Sequence, residues 1–270
     1  SWGAASDNVA VALYRIERCA GSGCSSFAEI GTTSATSYAD TTVVASSTYS
    51  YRVRAEDAAG NRSGYSNTAS ATTPAASTAP AEPLPILDSF DRRNENPLSD
   101  SGRWTNGIGG SAEVGLRVVS RSVLACTKST ICSAWRNDAS YGPDSEVWAT
   151  ISTLPGDGNE LRLYARLQGA GASTYDGYLL RASQLPGTDE LYLERVDDGT
   201  ALTLLTLSRE LAVGDVLLLR VSGSTLEAWL RSGASWSLVG SVASSTYPGA
   251  GLIGVGMSGT TGRLDDFGGR

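Results

Sequence analysis

The sequence predicts an all-β protein made of two β-sandwich domains. Short segments with alternating apolar and polar residues recur along the chain, and no segment keeps apolar residues at helical spacing over the length of a helix. Hydrophobic residues make up 41% of the chain and 31 of its 270 residues are glycine, a composition typical of a globular, turn-rich protein. The length exceeds what one small core requires, which favours two domains.

The boundary between the domains is predicted at the stretch "PAASTAPAEPLP", which is rich in Pro, Ala, Ser and Thr. Such a composition is typical of an extended, semi-rigid linker. We therefore expect a first domain over residues 1–74, a linker over 75–85 and a second domain over 86–270.

In the first domain, strands are predicted at "VALYRIERC", "FAEIGTT" and "TYSYRVRAED". Together with "SWGAASDNVAV", which contains Trp2, and the closing "ASATTP", these motifs resemble a bacterial extracellular fibronectin type III domain. The resemblance implies a tyrosine corner, in which the Tyr49 hydroxyl bonds a backbone group of the preceding loop. The match begins in the family's second strand, so the first strand is missing. We expect either a longer polypeptide or a neighbouring chain to supply it.

In the second domain the predicted strands are longer, and include "NELRLYARLQG", "DGYLLRAS", "ELYLERVDDGTALTLLTLS" and "DVLLLRVSGSTLEAWLRS". Their alternation predicts two stacked antiparallel sheets. These segments, with the opening "LDSFDRRNENPLSDSGRW" and the closing "GLIGVGMSGTTGRLDDFGG", resemble a concanavalin A-like (laminin G-like) jelly roll. The resemblance implies that the opening and closing strands lie side by side, with "DSFDR" next to "LDDF".

The composition excludes several classes of function. The chain has no histidine, which removes Ser-His-Asp and Cys-His catalysis, His-ligated zinc and imidazole pH switches. The net charge of −7 and the lack of a basic cluster argue against nucleic acid as a partner. No apolar run reaches the roughly 20 residues of a membrane-spanning helix, so we expect no membrane insertion.

The four cysteines form two close pairs, Cys19 with Cys24 and Cys126 with Cys132. The wide separation of the pairs argues against one zinc site, and the C-x-x-C redox motif is absent. Local disulfides or free thiols remain, and the even count across turn residues favours disulfides. Disulfides indicate an extracellular or cell-surface location. The "ACTKSTIC" loop is interpreted as a stapled hairpin tip, with a binding loop as the alternative.

A calcium site is one candidate for chemistry. If the terminal strands pair, Asp88, Asp91, Asp265 and Asp266 converge, and their hard oxygen atoms suit a structural Ca²⁺. The alternative is that Asp88 and Asp266 only cap turns or form ion pairs with Arg92, Arg93 or Arg263.

The second candidate is a carbohydrate-binding surface. Strand alternation places aromatic and guanidinium side chains on outward faces, a combination that suits the C–H face and the hydroxyls of a sugar. The predicted residues are Tyr164, Arg166, Tyr178, Arg220 and Trp229, with Arg162 nearby. The alternative is that they form cross-strand pairs covering a sheet face.

Catalysis is not expected. Glycosidases of this fold need two carboxylates on one strand in an E-x-D-x-x-E run, which is absent. The nearest pair, Glu190 and Glu194, is interpreted as part of a solvated strand face.

The sequence thus predicts a non-catalytic extracellular surface or adhesion protein whose second domain binds a glycan or cell-surface polysaccharide. Two alternatives remain: a structural subunit of an extracellular filament or phage virion that self-assembles with copies of itself, and an accessory module of a secreted polysaccharide-degrading enzyme. A structural Ca²⁺ is the one cofactor considered.

Overall fold

The computed structural model describes residues 1–21, 23–73, 76–107, 116–120, 122–124, 131–171 and 174–270. The chain divides into two compact units, Ser1–Thr78 and Ala79–Arg270. Every regular element of the described residues is a β-strand, which confirms the all-β prediction. In the same residues there is no apolar helix of the length a membrane span requires.

The first unit contains a four-stranded antiparallel sheet in the order β2-β1-β3-β4. Its strands are β1 (Val11–Ala20), β2 (Ala28–Thr33), β3 (Thr48–Asp57) and β4 (Ala69–Thr72). One face carries Tyr14, Ile16 and Val53, and Trp2 packs edge-on against Tyr14 with ring centres 5.4 Å apart. The described residues of this unit form this one sheet, so the apolar face borders an open groove.

Two predictions for the first unit are confirmed. The backbone N–H of Val44 donates a hydrogen bond of 3.0 Å to the hydroxyl of Tyr49, which is the expected tyrosine corner. Cys19, at the end of β1, forms a disulfide with Cys24, with their Cα atoms 6.0 Å apart. Of the second predicted disulfide, Cys126 lies outside the described residues, whereas Cys132 is fully buried and is not a free thiol.

The second unit is a sandwich of two antiparallel sheets. Its strands are, in chain order, β5 (Ile86–Asp88), β6 (Trp104–Asn106), β7 (Arg117–Val119), β8 (Ser122–Leu124), β9 (Cys132–Arg136), β10 (Ser145–Thr153), β11 (Glu160–Gln168), β12 (Asp176–Ser183), β13 (Glu190–Asp197), β14 (Thr200–Ser208), β15 (Val216–Ser222), β16 (Thr225–Ser232), β17 (Ser235–Ala243), β18 (Leu252–Met257) and β19 (Arg263–Gly269). Sheet I has the order β17-β16-β15-β10-β19-β8-β7, with β5 also paired to β19. Sheet II has the order β14-β13-β12-β11-β18-β9-β6.

The core lies between the two sheets because each long strand alternates apolar and polar residues. Sheet I contributes residues such as Leu217, Leu219 and Leu226, and sheet II contributes residues such as Leu163 and Leu193. All of these side chains are buried. The opposite, outer face of each sheet therefore carries most of the charged residues of the long strands, and any site on a sheet must lie there.

The opening and closing segments of the second unit lie side by side, as expected. Strand β5 pairs with β19, with Asp88 opposite Phe267. The preceding residues pack on the outer face of sheet I, where Leu84 joins a cluster with Trp148 and Trp229. The C-terminal half of the segment predicted as linker therefore belongs to the second unit.

Strand β11 departs from simple alternation. Its pairing register with β12 shifts between Ala165 and Gln168, and Arg166 has a φ of +50°, in the left-handed region that a non-glycine residue rarely adopts. The bulge reverses the facing of the residues that follow. Leu167, which uninterrupted alternation with Leu161 and Leu163 would place in the core, packs instead with Trp135 and Tyr164 on the outer face of sheet II.

Candidate functional site

The five residues predicted to bind carbohydrate do not form one exposed surface. Tyr178 belongs to the core between the sheets and is 0% exposed. Tyr164 is on the outer face of sheet II but is covered by Tyr175 and is 1% exposed. The prediction that these two rings face solvent is wrong. Tyr178 pairs with the core residue Ala165 and therefore faces the core, and Tyr175, just before β12, covers Tyr164.

Arg166 is also buried, with 1% of its surface exposed. Its guanidinium donates hydrogen bonds to the carbonyl oxygens of Tyr247 at 2.6 Å, of Gly223 at 2.9 Å and of Pro143. Burial lowers the pKa of this guanidinium. The outward position predicted from alternation is wrong because the β11 bulge turns the side chain inward, where it joins three loops.

Arg220 and Trp229 lie together, but on the outer face of sheet I. The guanidinium of Arg220 contacts Glu146 at 2.6 Å and Glu227 at 3.2 Å, and Glu227 accepts a 2.7 Å bond from the Trp229 indole. Trp229 is only 4% exposed because Leu84 covers it. These contacts match the alternative of cross-strand pairs on a sheet face.

The predicted calcium ligands do not fit a metal site. Asp88 is buried and accepts hydrogen bonds from Phe90 N–H at 2.8 Å and from the Trp104 indole at 2.7 Å, and it forms an ion pair with Arg92. This matches the alternative in which Asp88 pairs with an arginine. Among the described residues no group of three or more His, Cys, Asp or Glu side chains could hold a metal ion.

The other acidic residues of that seam repel one another. Burial raises the pKa of Asp265, and the nearby negative charge of Asp91 adds to the increase. Burial, followed by the charges of Asp265 and Asp91, also raises the pKa of Asp266.

A different surface emerges on the outer face of sheet II. Glu160 and Arg162 on β11, Arg181 on β12, and Tyr192 and Glu194 on β13 form what we call the arginine–tyrosine patch. The pairing register places Arg162 directly opposite Arg181, and Arg181 directly opposite Tyr192. Three neighbouring strands thus align two guanidinium groups and a phenol ring in one row across the sheet.

Ion pairs hold the patch in a fixed geometry. Arg181 contacts both carboxylate oxygens of Glu194, at 2.7 and 3.1 Å, and its guanidinium carbon lies 3.8 Å from the ring centre of Tyr192. Arg162 donates from Nε to Glu160 at 2.6 Å. Bidentate pairs and stacked guanidinium groups lose little freedom when they bind a ligand, because their orientation is already set.

The two guanidinium groups remain charged. Burial lowers the pKa of Arg181, but its hydrogen bonds to Glu194 and the negative charges of Glu194 and Glu160 together outweigh burial, so the pKa is raised. The pKa of Arg162 is likewise raised, because contacts with Tyr164 and Glu160 outweigh burial. The side chains of Arg162 and Arg181 are 20% and 22% exposed, respectively, and Tyr192 is half-buried, so part of each group contacts solvent.

Sequence reasoning missed Arg181 and Tyr192 as site residues. Both lie at alternating positions of predicted strands, but their proximity depends on the register between strands, which the sequence does not state. The usable signal was that "YLLRAS" and "LYLERV" are joined by a short turn, so that residues equidistant from this turn face each other.

Comparison with known proteins gives partial matches to an alpha-amylase and to two exoglucanases. No family model matches the chain. An alpha-amylase of Niallia circulans is 51% identical over 75 residues, which are 28% of this chain and 5% of the amylase. Exoglucanase B of Cellulomonas fimi is 37% identical over 121 residues, 44% of this chain and 10% of the exoglucanase. The chain therefore spans only a small part of each of these curated relatives.

Solved structures show the fold. The exoplasmic/lumenal domain of VIP36 in its Ca²⁺/Man-bound form has a TM-score of 0.50 at 11% identity, covering 64% of this chain and 87% of that domain. The carbohydrate-binding module CBM66 from Bacillus subtilis has a TM-score of 0.49 at 16% identity, covering 64% and 99%. At such identities the VIP36 match shows a shared fold, in agreement with the β-sandwich architecture.

Proposed function

We propose that the second unit binds a carbohydrate at the arginine–tyrosine patch, and that the chain is a non-catalytic accessory module of a secreted polysaccharide-degrading enzyme. The observation that carries the proposal is the row of Arg162, Arg181 and Tyr192 across three strands, held by Glu160 and Glu194. The matches to an alpha-amylase and to exoglucanases favour an accessory module over a free-standing adhesion protein.

The chemistry of the patch suits a sugar. Guanidinium N–H groups donate to hydroxyl oxygens and the partly exposed Glu160 carboxylate accepts from hydroxyl hydrogens, so neighbouring groups of both kinds can engage adjacent hydroxyls of one ring. The face of Tyr192 that Arg181 does not cover can pack on the C–H side of the sugar ring. Because ion pairs and stacking fix the guanidinium groups of Arg162 and Arg181 before a sugar arrives, binding costs little side-chain conformational entropy.

The same contacts argue against hydrolysis at this surface. Glu194 is 2% exposed and accepts bonds from Arg181 and from the Thr203 hydroxyl at 3.0 Å. Glu190 accepts from the Tyr192 hydroxyl. A carboxylate bound in this way is poorly placed to attack a sugar carbon or to donate a proton. In this proposal the fibronectin type III-like first unit acts as a spacer, and the protein is extracellular.

The test is binding of the full chain to soluble and insoluble polysaccharides, starting with starch and cellulose, with and without EDTA. Tyr192→Ala and Arg162→Gln should each weaken binding by about tenfold or more, as expected for central interface residues. Arg231→Gln is the matched control, because Arg231 is a partly exposed, ion-paired arginine on the outer face of sheet I. Equal weakening by the control, or no binding to any polysaccharide, would refute the proposal.

A further inference from the structure

The edge strand of sheet II has an unusual surface for a free edge. Strand β14 is the terminal strand of the sheet, and no described strand pairs with its other side. The nine residues "TALTLLTLS", Thr200–Ser208, contain no charge and no proline, and Leu202 is 49% exposed. Free edges are normally protected by charges, prolines or short strands, since their unpaired N–H and C=O groups invite another strand.

The sequence of β14 is nearly symmetric under reversal. Counted from the centre between Leu204 and Leu205, Thr203 mirrors Thr206 and Leu202 mirrors Leu207. Two such strands running antiparallel around a twofold axis would place like residues opposite each other. Threonine–threonine pairs are favourable cross-strand neighbours, and leucine–leucine pairs bury apolar surface.

In a regular strand this pairing is not possible. It would place Leu204 of one copy opposite Leu205 of the other, and these neighbouring residues point to opposite faces of a regular strand, whereas residues that are paired across two strands must point to the same face. A β-bulge in β14 removes the obstacle. The register with β13 shifts so that Leu205 pairs with Leu193 but Thr203 pairs with Glu194, which makes Leu204 the extra residue. Thr203 and Thr206 consequently share the outer face of the sheet.

Leu204, Leu205 and Leu207 share the other face and pack against the core between the sheets, and alternation with Thr203 places Leu202 on that face as well. Leu205 and Leu207 lie over Gly240 of sheet I, where an added Cβ would meet both side chains. The facing pattern is therefore as symmetric under reversal as the sequence is.

We propose that two copies of this chain pair through β14, antiparallel, with Leu204 of one copy opposite Leu205 of the other. The reversal symmetry of both the sequence and the facing of β14 favours a second copy of the same strand over a different partner.

The pairing joins the two copies of sheet II into one continuous sheet, with both arginine–tyrosine patches on the same face. The two Tyr192 residues then lie three strand spacings apart and two residues out of line along the strands, roughly 16 Å from each other. This consequence rests on the proposed function, since it offers one polysaccharide two patches at once. The pairing itself is independent of carbohydrate binding.

Engineered cysteines test the register. In the full chain, Ala201→Cys combined with Ser208→Cys places each new thiol opposite its counterpart in the other copy, because positions 201 and 208 mirror each other. Each single variant leaves its two thiols seven positions apart, roughly 23 Å, too far for a disulfide. Mild oxidation should give a covalent dimer with the double variant only. Cross-linking by the single variants to the same extent, or none by the double variant, would overturn the proposed register.

Sedimentation of the unmodified chain over a range of concentrations tests the association itself, and a dimer is expected. Leu202→Lys should weaken the dimer at least tenfold by burying a charge at the pairing edge. Val9→Lys, at a position 85% exposed in the first unit, is the control and should leave association unchanged. A chain that sediments as a monomer at every concentration refutes the pairing, whatever the result of the polysaccharide assay.

Discussion

Arg166 is expected to be a major determinant of stability in the second unit, and Arg166→Met tests this. Methionine keeps much of the side-chain length and apolar stem but removes the donors to the carbonyls of Pro143, Gly223 and Tyr247. Each buried acceptor left without a donor costs about 1–3 kcal/mol. Relief of the buried charge offsets part of this cost, so we expect a net loss of about 3 kcal/mol.

For a unit of this size a loss of about 3 kcal/mol corresponds to a fall in Tm of roughly 6–12 °C. Differential scanning calorimetry of the full chain measures it. The control is Arg103→Met, because Arg103 is 58% exposed and has a single long ion pair with Asp100 at 3.4 Å. Such a pair is worth about 0.5 kcal/mol or less.

Arg166→Lys separates charge from geometry. A single ammonium keeps the positive charge but lacks the planar fork that reaches three carbonyls, so its Tm should fall between those of the native chain and of Arg166→Met. The reasoning fails if Arg166→Met lowers Tm no more than the Arg103 control does, or if lysine restores the native Tm in full.

Two further predictions concern other parts of the chain. Asp266→Asn should raise Tm at pH 7 by roughly 1–3 °C, because burial and the charge of Asp265 raise the pKa of Asp266 and make its ionised form unfavourable in the folded state. The native chain regains this stability as pH falls through the raised pKa of Asp266, so the advantage of the variant should shrink with falling pH and vanish below the ordinary aspartate pKa of 3.8. An advantage that does not change with pH would contradict this account. Tyr49→Phe should remove the acceptor for Val44 N–H and speed hydrogen exchange of that amide about fivefold, equivalent to about 1 kcal/mol. Unchanged exchange at Val44 would show that the tyrosine corner adds nothing measurable.

Local pattern was sufficient for the strands and for much of the core. The alternation of Leu226 and Leu230 with Trp229 predicts their facing correctly, because β16 has no irregularity over these residues on its β15 side. The position of Tyr49 followed from the resemblance to a fibronectin type III domain. The pairing of β5 with β19 likewise followed from the resemblance to a jelly roll.

The alternation of residues along a strand failed to predict side-chain facing or exposure where a bulge or a contact with a distant segment determines it. Arg166 occupies a position of β11 that alternation assigns to the outer face, and only the register shift of β11 turns its side chain inward. Trp229 faces outward as expected, but Leu84, far away in the chain, buries it. Arg181 and Tyr192 become a site only through the register of β12 with β13. Each of these failures concerns the register between two strands or the coverage of one segment by another, and neither can be inferred from the residues of a single segment.

The packing of residues 82–84 has a practical consequence for dissecting the molecule. A fragment cut at residue 86, where the compositional boundary falls, would strip Leu84 from Trp148 and Trp229 and would remove Glu82 from its contacts with Arg231 and the Trp236 indole. Freshly bared indoles make a surface sticky towards many materials, sugars included. Apparent polysaccharide affinity of such a truncated fragment would therefore reflect the cut, and recombinant versions of the second unit should begin at or before Ala79.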